Sequence, residues 1–276
     1  MELNALLDVP MALPSAPRVV ALLQTELLSI EPDLRKLCQL VSTDPALAAD
    51  VLRVANTPGM ALPDPVGTVS EALALLGMNQ LRSVVSCASV GSSTTALPGV
   101  NLQHFWRYSL GTARVARSLA VGLKLHQGMG YTAGLLHALG ELAMHHAMPQ
   151  AMVALNSTVP PLDRARVEAE RRALGYTYAE VSAGLARRWG LPQPLVDALA
   201  AQNKPFEGDA FEPLAGVVHL AAWRARAREA GLTERQLAVS FPDVVGVTLG
   251  LDIDMVLQQT PFDWIVAQEE EQPLVV

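Results

Sequence analysis

Thr43-Asp44-Pro45-Ala46-Leu47-Ala48-Ala49-Asp50-Val51-Leu52-Arg53-Val54-Ala55-Asn56 is the stretch that decides the fold class. Asp44 stands where a helix N-cap is wanted, and Pro45 supplies a first helical residue whose missing N–H is no loss. Leu47, Val51, Leu52 and Ala55 then recur at the spacing of one helical face. Arg53 and Asn56 lie three apart and share a face. They are read as pairing to a neighbouring helix or closing the turn Asn56-Thr57-Pro58-Gly59, with contact to a partner or ligand as the functional alternative.

The same grammar continues outward along the chain. Thr68 with Glu71, Thr177 with Glu180 and Thr233 with Gln236 have capping-box spacing, and each predicts a helix start. Gly77 after Ala72-Leu73-Ala74-Leu75-Leu76, and Gly190 with Pro192 after Leu185-Ala186-Arg187-Arg188-Trp189, predict helix stops. Alternating β-branched and aromatic runs are scarce, so the expected class is all-α, with about a dozen helices joined by short loops. Ser-Ser-Thr-Thr-Ala-Leu-Pro-Gly, inside 92–101, breaks the helical pattern between two apolar segments. It is taken as the boundary between two packed lobes, 13–96 and 97–266, followed by an acidic tail at 267–276 that contains Glu269-Glu270-Glu271.

Bulk properties exclude several functions. Of 276 residues, 50% are hydrophobic and 17% charged, which is globular composition. A net charge of −7 leaves no excess of basic side chains to neutralise phosphates over a wide face, so no nucleic-acid partner is expected. The local clusters Arg171-Arg172, Arg187-Arg188 and Arg224, Arg226, Arg228 read as solvated helix faces. Uncharged stretches such as 83–106 and 142–162 are interrupted by polar residues and proline, so no membrane association is expected. The start lacks a basic segment ahead of an apolar one, which predicts a cytoplasmic protein. Cys38 and Cys87 form no CxxC pattern and are read as buried, reduced thiols.

A succession of segments carries a resemblance. In the first half these are Leu13-Pro14-Ser15-Ala16-Pro17, Ser42-Thr43-Asp44-Pro45-Ala46-Leu47, Val51 to Asn56, and Glu71 to Gly77. The second half adds Phe105-Trp106-Arg107-Tyr108-Ser109-Leu110, Ala133-Gly134-Leu135-Leu136-His137 and Arg188-Trp189-Gly190-Leu191-Pro192. In order and spacing, over about residues 13 to 220, this resembles the HDOD family. The resemblance implies an all-α fold, HD-like in its second lobe, related to the HD phosphohydrolases, found mainly in bacteria and tied to signalling.

HD hydrolases hold one or two divalent ions on His and Asp side chains, and those ions activate a water against a phosphate ester. Matched to that pattern, the chain has Tyr108 at the first His position and His137-Ala138 where the His-Asp pair belongs. It has Tyr178 at a later His, Gln202-Asn203 in place of His-His, and no Asp near Ala222. His137 alone remains, with Glu141 a second donor at i, i+4. No metal or cofactor is therefore expected. Tyr108, His137, Tyr178, Gln202 and Asn203 are left as a vestigial pocket suited to stacking and hydrogen bonding.

The function expected is a non-catalytic regulatory module with a protein partner in a signalling pathway. The alternatives are a sensor of a nucleotide or other small molecule through the vestigial pocket, and a residual metal-dependent phosphohydrolase. Asp44, Arg53, Asn56, Trp106 and Trp189 are the candidates for structural or interaction roles, the two tryptophans as large core anchors.

Overall fold

Asp44 accepts from the Leu47 N–H at 2.9 Å, capping the helix that Pro45 opens, and its other oxygen accepts from the Ala16 N–H. The side chain is wholly buried, so one carboxylate starts a helix and ties down the lead-in to an earlier one. Asn56 stands at the end of that helix. It donates to the carbonyls of Leu52 and Val66 and accepts from the Val66 N–H, closing the intervening loop. Arg53 turns to Asp50 of its own helix at 2.8 Å and stays largely exposed.

The computed structural model describes residues 1–60, 63–94, 97–207 and 211–258, with 90–94 described by backbone alone. Its helices are α1 (Leu3–Leu7), α2 (Pro17–Leu27), α3 (Leu34–Ser42), α4 (Pro45–Ala55), α5 (Val69–Leu75), α6 (Met78–Thr94), α7 (Leu102–Gly122), α8 (Gln127–Leu136) and α9 (Leu139–Ala147). Then follow α10 (Pro149–Thr158), α11 (Arg166–Leu174), α12 (Tyr178–Arg188), α13 (Gln193–Ala201), α14 (Pro213–Glu229), α15 (Glu234–Ser240), α16 (Asp243–Thr248) and α17 (Ile253–Gln258). The fold is all-α, with no strand among the described residues. Among the described residues, seventeen α-helices replace the expected dozen because apolar runs are interrupted by two-residue breaks, as at Leu76-Gly77 and His137-Ala138.

The punctuation read from sequence is present. Glu71 accepts from the Thr68 N–H while Thr68 accepts from the Glu71 N–H, and Thr233 and Gln236 do the same. Glu180 accepts from the Thr177 N–H at 2.8 Å. Gly190, at φ 69°, ends the α12 segment. Three expectations need correcting. Helix α6 runs to Thr94, past Ser92, so the break in helical pattern starts later than composition implied. Cys87 is exposed and Cys38 partly so, because both sit on helix flanks rather than core faces. Trp106 and Trp189 are only partly buried against the core, since each lies at its rim. The acidic tail and Trp264 lie outside the described residues.

The main core runs without interruption from Leu6 on α1 to Ala225 on α14 and takes in both sides of the 92–101 segment. A second, smaller cluster joins Val115 and Leu119 of α7 to Val217 and Leu220 of α14 and to Leu237, Val245 and Val256. Helices α7 and α14 therefore each carry two apolar faces, one for each cluster. Helix α8 lies hard against α7: a Cβ on Gly134 would stand 2.8 Å from Ala113 Cα and 2.9 Å from the Thr112 carbonyl. Helix α9 lies as close to α12, where a Cβ on Gly140 would overlap the Tyr178 carbonyl. These two backbone approaches fix what stands between them, His137. Among the described residues, no helix is long and apolar enough to cross a membrane.

Candidate functional site

His137 occupies the break between α8 and α9, and its backbone is as constrained as its ring. Its carbonyl, left without an onward helical partner, accepts from Ser182 Oγ at 3.0 Å and from Gln202 Nε2 at 2.9 Å. Ser182 in turn accepts from the Gly140 N–H at 2.8 Å, so α12 and α13 together hold the α8–α9 break. The ring is fully buried and stands edge-on to Tyr108, with centroids 4.9 Å apart at 68°.

The tautomer follows from the partners. Nδ1 lies 2.7 Å from the Gly134 carbonyl, which can only accept, so Nδ1 carries the hydrogen and Nε2 is a bare acceptor. Nε2 is buried without a hydrogen-bond partner. Burial, aided by the nearby Arg226 charge and opposed by the Gly134 bond, lowers the ring's pKa to about 3. His137 is neutral at any physiological pH.

The other sequence-predicted pocket residues do converge here. Tyr178 opens α12 and donates its hydroxyl to Asn203 Oδ1 at 2.9 Å. Gln202 also donates Nε2 to the Leu199 carbonyl, and its own carbonyl accepts from His219 Nδ1 at 2.7 Å. Burial raises the phenols of Tyr108 and Tyr178, which stay protonated. Gln202 Oε1 and Asn203 Nδ2 are buried without partners, as is Trp106 Nε1 nearer the rim. Tyr108, His137, Tyr178 and Gln202 are buried and Asn203 partly so, which makes this a closed polar centre rather than an open groove. A surface groove of about 290 Å³ is lined in part by Asn203, and its two cations, Arg171 and Lys204, pair with Glu180 and Glu207.

Arg226 corrects the reading of its cluster as a solvated face. It stands one turn after Ala222 on α14, is partly buried, and acts on the charges of His137, Tyr108, Tyr178 and His219. The signal was in the spacing: Arg224 and Arg228 are four apart on one face, while Arg226, two from each, points about 200° away.

Glu141 is a second correction, because it is not free to join His137. Its Oε1 accepts from Arg166 Nη2 at 3.0 Å, and Arg166 Nε donates to Glu170 Oε1 at 2.8 Å. The third arm of Arg166 donates to the Val159 carbonyl at 2.7 Å, and Glu170 Oε2 accepts from the Tyr178 N–H at 2.8 Å. This carboxylate–guanidinium–carboxylate triad is almost wholly inaccessible and ties α9, α11 and the start of α12 together. His145 is likewise committed, donating Nδ1–H to the Glu141 carbonyl and accepting from Asn156 Nδ2, which also donates to the Gly99 carbonyl.

These donors do not fit a divalent ion. Such an ion needs several anionic or neutral donors converging within about 2.0–2.6 Å. The centre offers one imidazole nitrogen, no paired carboxylate and a guanidinium that repels cations. Among the described residues, no three His, Cys, Asp or Glu side chains could hold a metal together.

Comparison with known proteins bears on the family and the fold. The model of the HDOD domain matches residues 13–205. The solved MmoQ response regulator of Methylococcus capsulatus is 25% identical with a TM-score of 0.73, covering 90% of this chain and 97% of that one. A protein of Shewanella amazonensis, provisionally named a phosphohydrolase, is 26% identical with a TM-score of 0.54, covering 93% and 92%. An uncharacterized protein of Treponema pallidum is 26% identical over 221 residues, 76% of this chain and 41% of its own length. The chain thus spans about two fifths of that curated relative.

Proposed function

This chain belongs to the HDOD family, and from that premise we propose that it is a non-catalytic regulatory module that signals by binding another protein. The observation that carries the reading is the closed centre at His137. A buried neutral imidazole, a carbonyl clamped by Ser182 and Gln202, and a guanidinium where cations would gather are the parts of a structural core, not of a metal-assisted phosphoryl site. The likeness to the MmoQ response regulator supports a role in signal transduction. On this reading the module works in the bacterial cytoplasm, and its output depends on an exposed surface rather than on turnover.

The test has two arms on one preparation. Protein recovered from its own cell is expected to bring down a stoichiometric protein partner. The purified chain is expected to hydrolyse phosphomonoesters and phosphodiesters no faster than the blank with Mn²⁺, Mg²⁺ or Fe²⁺ added. Metal-dependent turnover would overturn the non-catalytic half of the reading. Repeated recovery of the chain alone would overturn the partner-binding half.

A further inference from the structure

We propose that the basic face shared by α7 and α14 is covered by the acidic segment 259–276 of the same chain, with Glu269-Glu270-Glu271 set against Arg114, Arg224 and Arg228. The charge on these two helices is one-sided. Helix α7 carries Arg107, Arg114 and Arg117 and no Asp or Glu, and α14 carries Arg224, Arg226 and Arg228 against Glu229 alone. In a chain of net charge −7 this is a local reversal of sign. Arg107 and Arg114 are seven apart and so lie on one stripe of α7, as Arg224 and Arg228, four apart, do on α14. The two stripes meet. Val115 and Ala116 of α7 join Trp223 and Ala227 of α14 in one apolar cluster, and Arg107 reaches across to Glu229 at 2.6 Å. Glu229 also pairs with His104 at 2.6 Å, so it is already shared by two partners. Partial burial and the like charges of Arg107 and Arg114 lower the Arg228 guanidinium against the pull of Glu229, and partial burial with the charge of Arg228 lowers Arg224.

Complementary charge lies close along the chain. Residues 259–276 contain Asp263 and Glu269-Glu270-Glu271 and no Lys, Arg or His, and they fall outside the described residues. They follow α17, whose Val256 belongs to the same apolar cluster as Val115, Trp223 and Ala227. The segment therefore leaves from beside the helices that it covers. From Gln258 to Glu269 an extended chain reaches up to about 36 Å, several times the roughly 6 Å rise from Arg224 to Arg228, so no strained path is required. Consecutive carboxylates against a crowd of guanidiniums form a network rather than an isolated surface pair, and networks are where exposed charges hold a segment in place. The inference goes beyond the regulatory reading and does not depend on it, because the segment can cover this face whatever the chain binds elsewhere.

The test is cleavage of the whole chain by a glutamate-specific protease, followed by intact mass as loss of the residues beyond Glu269, with a synthetic peptide of residues 259–276 as the unprotected reference. At low ionic strength, cleavage after Glu269, Glu270 or Glu271 is expected to be at least about fivefold slower in the chain than in the peptide, since a docked segment is cut only from its undocked fraction. Potassium chloride is expected to bring the two rates together by screening the charges. Arg114→Gln/Arg228→Gln is expected to be cut as fast as the peptide without added salt. Arg171→Gln/Arg172→Gln, the same change of net charge on the exposed face of α11, is expected to keep the wild-type rate. The salt series needs no variant, so it decides the matter if the Arg114/Arg228 variant does not fold. Equal rates for chain and peptide at low ionic strength would overturn the proposal, as would protection that survives salt or the Arg114/Arg228 substitutions, or an equal loss in the α11 control. Protection that rises with protein concentration would also overturn it, since the face would then be covered by the segment of a second copy.

Discussion

Arg166 and Arg226 are both drawn toward the interior, and they are provided for in opposite ways. Arg166 spends its fork on Glu141, Glu170 and the Val159 carbonyl, so one cation is held by two carboxyl groups and a main-chain oxygen. Among the described residues Arg226 makes one long side-chain bond, to its own helix, and acts on the charges of two phenols and two imidazoles. The first arrangement is closed, a cross-link among α9, α11 and α12. The second is chemically open, a fixed charge whose complement does not come from the paired acids of the fold. Burial alone therefore does not tell how an arginine is satisfied. The list of its partners does.

The comparison breaks most sharply at Arg166. Arg166→Met leaves the buried Glu170 carboxylate without its counter-charge and the buried Glu141 carboxyl without its donor, and is expected to cost about 3–5 kcal/mol, read by urea unfolding at neutral pH. A loss below about 1 kcal/mol would mean that the triad holds nothing together.

Glu141→Gln sharpens the same side through pH. Burial first, and then the neighbouring Glu170 carboxylate, raises Glu141 from 4.5 to about 8. Glu170 accepts from both Arg166 and the Tyr178 N–H, so Glu141 is the acid that keeps the extra proton. The sign follows: between pH 4.5 and about 8 the folded state holds a proton that the unfolded state has released, so stability falls as pH rises through that window. The Gln variant is expected to lose that slope and to gain on the order of 4 kcal/mol on wild type between pH 5 and pH 8.5. Parallel stability–pH curves for the two proteins would refute the assignment.

On the other side, Tyr178→Phe removes one O–H donor and leaves Asn203 Oδ1 unpaired, for an expected cost of about 1 kcal/mol in chemical unfolding. The smallest effect belongs to Arg226→Met, expected within about 1 kcal/mol of wild type because little pairing is lost. A cost equal to that at Arg166 would erase the distinction between the two arginines.

Much of this was legible along the chain, and the rest was hidden for physical reasons. Asp44, Asn56, Thr68 and Gly190 act within a few residues of themselves, so local chemistry announced their roles. The meeting of Tyr108, His137, Tyr178, Gln202 and Asn203 was legible only through the family pattern, since they come from α7, the α8–α9 break, α12 and the end of α13. The Arg166 triad was not legible, because Glu141 lies 25 residues upstream and only the path through α10 brings it near. Cys87, Trp106 and Trp189 were misplaced because side-chain type gives an average tendency to be buried, not the depth at a particular helix flank. Arg226 was hidden by its neighbours, whose shared face set the impression of a solvated stripe.

The clamped carbonyl of His137 bears on how sequences of this kind are interpreted. Ser182 and Gln202 grip the main chain at the helix break, and the ring merely fills the space that grip creates. A histidine kept for such reasons leaves the same letter in a genome as one kept for chemistry. Counting the letters of a motif therefore does not by itself measure activity. For relatives of this chain, the telling letters include the serine and glutamine that answer the backbone, for they mark a histidine whose main chain is held as firmly as its ring.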